Sequence, residues 1–169
     1  MNNNYILDKI KYALDLKNKD MVDIFKFGDI DISEEEVQKL LDDARGNSSD
    51  ENDKLNEIEE INKCKNITLE CFLNGLITFK RGEKETKTGQ PEILSIKGNK
   101  NINNIMLKKL KIALSLSSQD MLDILEEVGD PLTKGELSDI FRKEGHKHYK
   151  RCSDKHAINF LEGLSKRRG

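Results

Sequence analysis

The stretch beginning at Asn3 returns a hundred positions later at Asn103, and this internal repeat constrains the fold more than any other feature. Asn3-Asn4-Tyr5-Ile6-Leu7-Asp8-Lys9-Ile10-Lys11-Tyr12-Ala13-Leu14 aligns with Asn103-Asn104-Ile105-Met106-Leu107-Lys108-Lys109-Leu110-Lys111-Ile112-Ala113-Leu114. Asp20-Met21-Val22-Asp23-Ile24 then matches Asp120-Met121-Leu122-Asp123-Ile124. After a one-residue slip at Gly28-Asp29 against Gly129-Asp130, the copies rejoin at Ile32-Ser33 and Leu132-Thr133. Both end alike, Phe72-Leu73-Asn74-Gly75-Leu76 against Phe160-Leu161-Glu162-Gly163-Leu164, with Cys64 and Cys152 eight residues before the phenylalanines. Ordered matches of this length are not accidental. The chain is a duplicated module.

Each copy reads as four helices. Leu7, Ile10 and Leu14, like Leu107, Leu110 and Leu114, recur at helical spacing after Asn4 and Asn104, which are placed to cap the first helix. Asp20 and Asp120 are placed to cap a short second helix, and Gly28 and Gly129 to end it in the left-handed conformation. Ser33-Glu34-Glu35-Glu36 and Thr133-Lys134-Gly135-Glu136 are capping boxes opening a third helix, whose buried stripes are Val37, Leu40, Leu41 and Leu137, Ile140, Phe141. The fourth is expected over about 68–80 and 153–166. Glycine costs a helix interior about 1 kcal/mol relative to alanine. Gly75 and Gly163 at matching places therefore indicate close approach of another helix, with a kink as the alternative. The expected class is all-α: two tandem copies of a roughly four-helix module, with a helix-turn-helix-like pair in each, joined by a polar linker. The boundaries read as module one at 3–80 with an acidic insertion at about 44–63, a linker at 81–102, and module two at 103–167. Within the linker, Ile93, Leu94 and Ile96 are placed to tack it to a module surface.

Composition agrees. Tryptophan is absent and proline occurs twice, at Pro91 and Pro131, a scarcity that suits helices better than sheets. The net charge of −2 hides an asymmetry. Residues 29–62 hold thirteen acidic and three basic side chains, residues 142–169 nine basic and three acidic. Charged helical faces are ordinarily just solvated, but opposite fields can also select partners. Three cysteines without a CxxC pair point to a reducing compartment. No secretory leader pattern opens the chain, and no apolar run approaches the ~20 residues of a membrane span. The expected location is the cytoplasm.

The doubled Asn-Asn motif with its Lys-x-Lys and Ala-Leu, the Phe-Leu-x-Gly-Leu ends and Gly145-His146-Lys147-His148-Tyr149 together resemble the YehS-like family, bacterial proteins with a duplicated domain of unknown function. The resemblance covers nearly the whole chain. It implies a cytoplasmic bacterial protein and brings no activity and no functional residues. The acidic stretch 47–53 looks like an insertion relative to the family.

Four functional classes remain. Residues 20–43 have the layout of a helix-turn-helix, yet Glu34, Glu35 and Glu36 would repel DNA; in module two Lys134 leads toward Arg142 and Lys143. Arg142, Lys143, His146, Lys147, His148, Tyr149, Lys150 and Arg151 offer cations interleaved with an aromatic ring, suited to a phosphate backbone and a stacked base. A lysine-rich surface loop is the plain alternative. His146, His148, Cys152 and His156 are close enough in sequence for a zinc set. However, Cys64 holds the place of Cys152 in module one without histidines, and a small buried thiol accounts for both. Catalysis has least to stand on, since no phosphate loop, His-Glu-x-x-His or Gly-x-Ser-x-Gly is present. The expectation is a protein without catalytic residues or cofactor that binds an unidentified protein partner in an interaction or regulatory role; the alternative is nucleic-acid binding through module two. Lys9, Lys11 and Asp23 recur as Lys109, Lys111 and Asp123, and ion pairs within each module would account for them, with a surface used twice as the alternative. The oligomeric state stays open.

Overall fold

The computed structural model describes residues 3–44, 66–82, 101–143 and 145–168. Two sets of four helices occupy them: α1 (Asn3–Ala13), α2 (Asn18–Phe27), α3 (Glu34–Ala44) and α4 (Asn66–Arg81), then α5 (Ile102–Ala113), α6 (Ser118–Glu127), α7 (Lys134–Phe141) and α8 (Asp154–Arg168). No strand occurs among the described residues. The insertion beyond Ala44, Cys64 and the Ile93–Ile96 tack lie outside them.

Local chemistry explains most helix ends, with three revisions. Ser33 and Thr133 close their capping boxes, each hydroxyl accepting from the amide three residues on while Glu36 and Glu136 reach back. Asp20 and Asp120, however, are not caps; they sit in the first turn and accept from the amides of Lys17 and Ser117, the true N-caps. Nor does the alignment slip. Asp29 has φ +67° and Gly129 φ +78°, and the amides of Ile30 and Asp130 both return to the carbonyl five residues back, on Phe25 and Leu125. Aspartate tolerates the left-handed region better than most side chains, so Asp29 takes the turn that glycine takes in module two. Gly28 is therefore not a left-handed stop; its φ is −92°. It is needed for space, because a Cβ there would stand 2.0 Å from the Cys71 carbonyl oxygen.

That contact belongs to the tightest crossing in the molecule. A Cβ on Gly75 would fall 1.9 Å from the Ile24 carbonyl oxygen, so α2 and α4 meet backbone to backbone. Gly163 serves the same crossing of α6 and α8, where its Cβ would meet the Ile124 side chain at 2.5 Å. Phe25 and Phe72 pack beside the first crossing with ring centroids 4.9 Å apart, both fully buried. Burying a ring of that size stabilises by about 1.5–3 kcal/mol.

The modules do not sit apart on their linker. α1 packs on α8 and α4 on α5, so each module lays its first helix on the other's last, and the buried residues of both form one cluster. The contact is isologous, as in a two-fold dimer. Lys9 and Lys109 reveal it: Lys9 donates to Glu162 across the modules at 2.6 Å, and Lys109 to Asn74, the residue aligned with Glu162. These lysines thus bridge modules and do not form the intramodule pairs expected from sequence. The Glu162 hydrogen bond holds the Lys9 ammonium above its ordinary pKa against the opposing effect of burial. Lys109 also lies 3.6 Å from Glu70, whose carboxylate is 1% exposed. Arg81 at the end of α4 donates to the Ile112 carbonyl in the last turn of α5 (3.0 Å). Since the C-terminal ends of α4 and α5 lie together, the end of α4 and the start of α5 stand about the length of α5 apart, about 18 Å for twelve residues.

Two stability differences follow from unequal copies. Gly75→Ala drives a methyl into backbone and is expected to cost about 3 kcal/mol, Gly163→Ala less because its Cβ would stand 3.0 Å from the Ile124 carbonyl oxygen where that of Gly75 would stand 1.9 Å from that of Ile24; urea midpoints compare them, and a larger loss at Gly163 would contradict this packing. Lys109→Met removes a cation from beside a buried carboxylate and is expected to cost about 3 kcal/mol, largely recovered by adding Glu70→Leu. Lys9→Met, between partners 27% and 43% exposed, is expected to cost under about 1 kcal/mol. Equal losses at the two lysines would refute the asymmetry.

Candidate interaction surfaces

The paired asparagines that open each copy are not helix caps. Asn4 and Asn104 lie inside α1 and α5, buried, where asparagine is a poor helix former. Each donates to the carbonyl of the residue aligned in the third helix, Leu40 (3.0 Å) and Ile140 (2.9 Å). Asn104 also donates to the Lys150 carbonyl (2.8 Å) and accepts from the Cys152 amide (2.8 Å). Beside it Asn103 donates to the Cys152 carbonyl and to Asp154, as Asn3 donates to Asn66. These side chains hold the end of α7 and the start of α8, and so support the basic loop between them.

On that support the loop is locally ordered. Lys143 and His146 carbonyls accept from the amides of His146 and Tyr149, and Gly145 supplies φ +98°. His146 Nδ1 accepts from the His148 amide (3.0 Å), which places the ring proton of neutral His146 on Nε2. The 3.5 Å approach of Arg142 to Nε2 is then a contact and not a hydrogen bond. The two imidazoles lie 5.9 Å apart. Part of the loop's charge is answered within the module: Arg142 pairs with Asp139 at 2.9 Å and Lys150 with Glu136 at 3.3 Å. The Thr133 amide, seconded by Lys150, keeps the Glu136 carboxyl below its usual range. Lys143, His146, Lys147, His148 and Arg151 are exposed; Tyr149 is half-buried.

His156 and Cys152 do not join His146 and His148. His156 Nδ1 is 2.6 Å from Asp130, which also accepts from Asn159 at 3.0 Å. Cys152 is buried with its Sγ toward the Ser153 carbonyl. Burial, reinforced by Asp154 and Asp130, pushes its thiol up to about 12, so it is neutral at physiological pH. Among the described residues no group of three or more His, Cys, Asp or Glu is gathered to hold a metal.

The helix pairs α2–α3 and α6–α7 are each joined by six residues, longer than the three or four of a DNA-reading pair. Between α6 and α7 opens a cleft of about 380 Å³ lined by Ser117, Ser118, Gln119, Leu122, Lys134, Leu137 and Ser138. In module one Asn18 and Gln38 stand where Ser118 and Ser138 stand, and their side chains bond each other at 2.9 Å.

A second surface lies where the repeat leaves apolar side chains outside the core. Tyr12 on α1 and Ile112 on α5 occupy the same place in the two copies, and both are exposed, by 63% and 39%. Lys11 and Lys111 adjoin them, half-buried. Tyr12, Lys11, Lys9 and Asp8 line a hollow of about 240 Å³. The available signal was an apolar residue repeated outside the Leu7, Ile10 and Leu14 stripe.

The Asp130 cluster makes module two sensitive to acid. Burial pushes the Asp130 carboxyl up, but hydrogen bonds from Asn159 and His156 outweigh it and hold the group below its ordinary value. A carboxylate depressed by folding stabilises above its unfolded pKa of about 3.9 and loses that contribution as pH falls through the lower folded value. Asp130→Asn is expected to cost about 1–2 kcal/mol at neutral pH, the difference from wild type closing as the pH falls below the unfolded value of about 3.9 and through the lower folded one. Urea midpoints across that range decide it; an undiminished difference in acid would mean that the aspartate acts by shape alone.

Among the described residues no helix is long and apolar enough to cross a membrane. The family of proteins of unknown function DUF1456 matches residues 3–82 and 103–169, one segment per module. An uncharacterized protein, YehS of Escherichia coli (strain K12), is 34% identical over 168 residues, covering 99% of this chain and 96% of that protein. No solved structure matches. Reciprocal packing of two like modules is thus the architecture of a chain that belongs to the DUF1456 family and carries its domain twice.

Proposed function

We propose that this chain is a protein-interaction module without catalytic residues, gripping a partner through the repeated outer face of α1 and α5. The observation that carries the reading is the apolar residue left on the surface at the same place in both copies, Tyr12 and Ile112, each next to a lysine. Exposed aromatic and aliphatic side chains beside cations suit an anchor within a polar rim. Two like faces on one body favour a partner that is itself two-fold, or one with two acidic, apolar-centred sites, because the second contact forms at high effective concentration. The neutral, buried Cys152 and the commitment of His156 to Asp130 argue against a thiol nucleophile with a histidine base.

A second reading has its own observation. Lys143, Lys147 and Arg151 are exposed on the loop before α8, so a polyanion has a place to bind.

One experiment separates the two. A photo-crosslinking residue at position 12 or 112 of the full chain is expected to trap a single partner in bacterial lysate. Tyr12→Glu with Ile112→Glu should cut its retention at least tenfold without lowering thermal stability, since both side chains are exposed. Retention unchanged by the double substitution would refute the α1–α5 face. Salt-sensitive binding of duplex DNA or single-stranded RNA, abolished by Lys143→Glu, Lys147→Glu and Arg151→Glu, would move the function to the loop.

A further inference from the structure

The covalent link between the modules runs from the end of α4 to the start of α5, whereas the contacts joining them run between α1 and α8 and between α4 and α5. The tether and the interface are therefore separate things. We propose that the module is a self-complementary dimerisation unit, and that the α1–α4 surface of each copy fits another copy of the module whether or not the two are tethered.

Three observations support this. The contact is reciprocal: α1 meets α8 as α5, its counterpart, meets α4, the arrangement of an isologous dimer. Its polar register is also reciprocal, since Lys9 reaches Glu162 and Lys109 reaches the aligned Asn74. Both acceptors satisfy an ammonium, so charge permits every pairing. Lys9 against a second module one would find Asn74 and Glu70, and Lys109 against a second module two would find Glu162. Finally, the interface encloses a charged pair. Glu70 is buried in the structure, and the cation 3.6 Å away belongs to the other module. The tether adds effective concentration: twenty residues, 82–101, reach up to about 66 Å, more than the return along α5 requires. This inference concerns the inward faces of α1 and α5 and is independent of the partner assigned to Tyr12 and Ile112.

The test uses the full chain with a protease site placed between residues 83 and 100. After cleavage the two fragments are expected to stay together at the intact mass of 19.4 kDa in native mass spectrometry and light scattering. Their unfolding temperature should now rise with concentration, which the uncut chain does not show. Unfolding and refolding the cleaved mixture is expected to give same-module pairs, told apart by mass, beside the mixed pair. Fragments that separate under native conditions would overturn the interface as a dimer contact. Mixed pairs alone after refolding would overturn self-complementarity. Lys109→Glu sets like charge against Glu70 and should weaken the cleaved complex at least tenfold, its folding checked first in the uncut chain; unchanged affinity would also count against the proposal.

Discussion

Each module lays its first helix along the last helix of the other, and the remaining architecture follows from that exchange. A helix must bury its apolar stripe, and four short helices per module leave the outer sides of the first and fourth uncovered. Packing α1 on α8 and α4 on α5 covers them together and merges the two cores into one cluster. Because α4 and α5 bring their C-terminal ends together at Arg81 and Ile112, the chain between the modules has to span the length of α5, about 18 Å, a minimum that its twenty residues exceed.

Within each module the defining constraint is the crossing of the second helix on the fourth. Backbone carbonyls of Ile24 and Cys71 leave no room for a Cβ on Gly75 or Gly28, and module two relaxes this, with Val128 in place of Gly28 and the Ile124 carbonyl 3.0 Å from where a Cβ on Gly163 would stand. The copies have diverged in their polar chemistry as well. Module two carries the Asp130–His156–Asn159 cluster and an open cleft where Asn18 and Gln38 bridge module one. A duplication of this kind serves as an internal control, since shared features mark the fold and differences mark where each copy can specialise.

The electrostatics temper the basic character of the second module. Arg142, Lys150 and Arg167 are paired with Asp139, Glu136 and Glu127, and His156 with Asp130, all within module two. Beyond these pairs, the loop before α8 exposes Lys143, Lys147 and Arg151 with two imidazoles. Against that, the repeated exposure of Tyr12 and Ile112 is a feature that folding does not require, which is why the interaction reading rests there.

The sequence by itself determined the helices, the duplication, the capping boxes of the third helices and the close approach at Gly75 and Gly163. The first three are set by periodicity or by contacts within a few residues, and the glycines showed through a cost that a helix interior bears where a neighbour comes close. Only the tertiary structure decided what the repeated polar residues do. Asn4 and Asn104 read as caps because asparagine near a helix start usually is one; burial against Leu40 and Ile140 makes them clamps. Lys9 and Lys109 read as partners within their modules because spacing cannot show what lies across an interface. Cys152 became an inert thiol, and the histidines separate pairs, for the same reason. A side chain's charge state and partner depend on what is brought beside it from far along the chain, and local pattern carries no record of that.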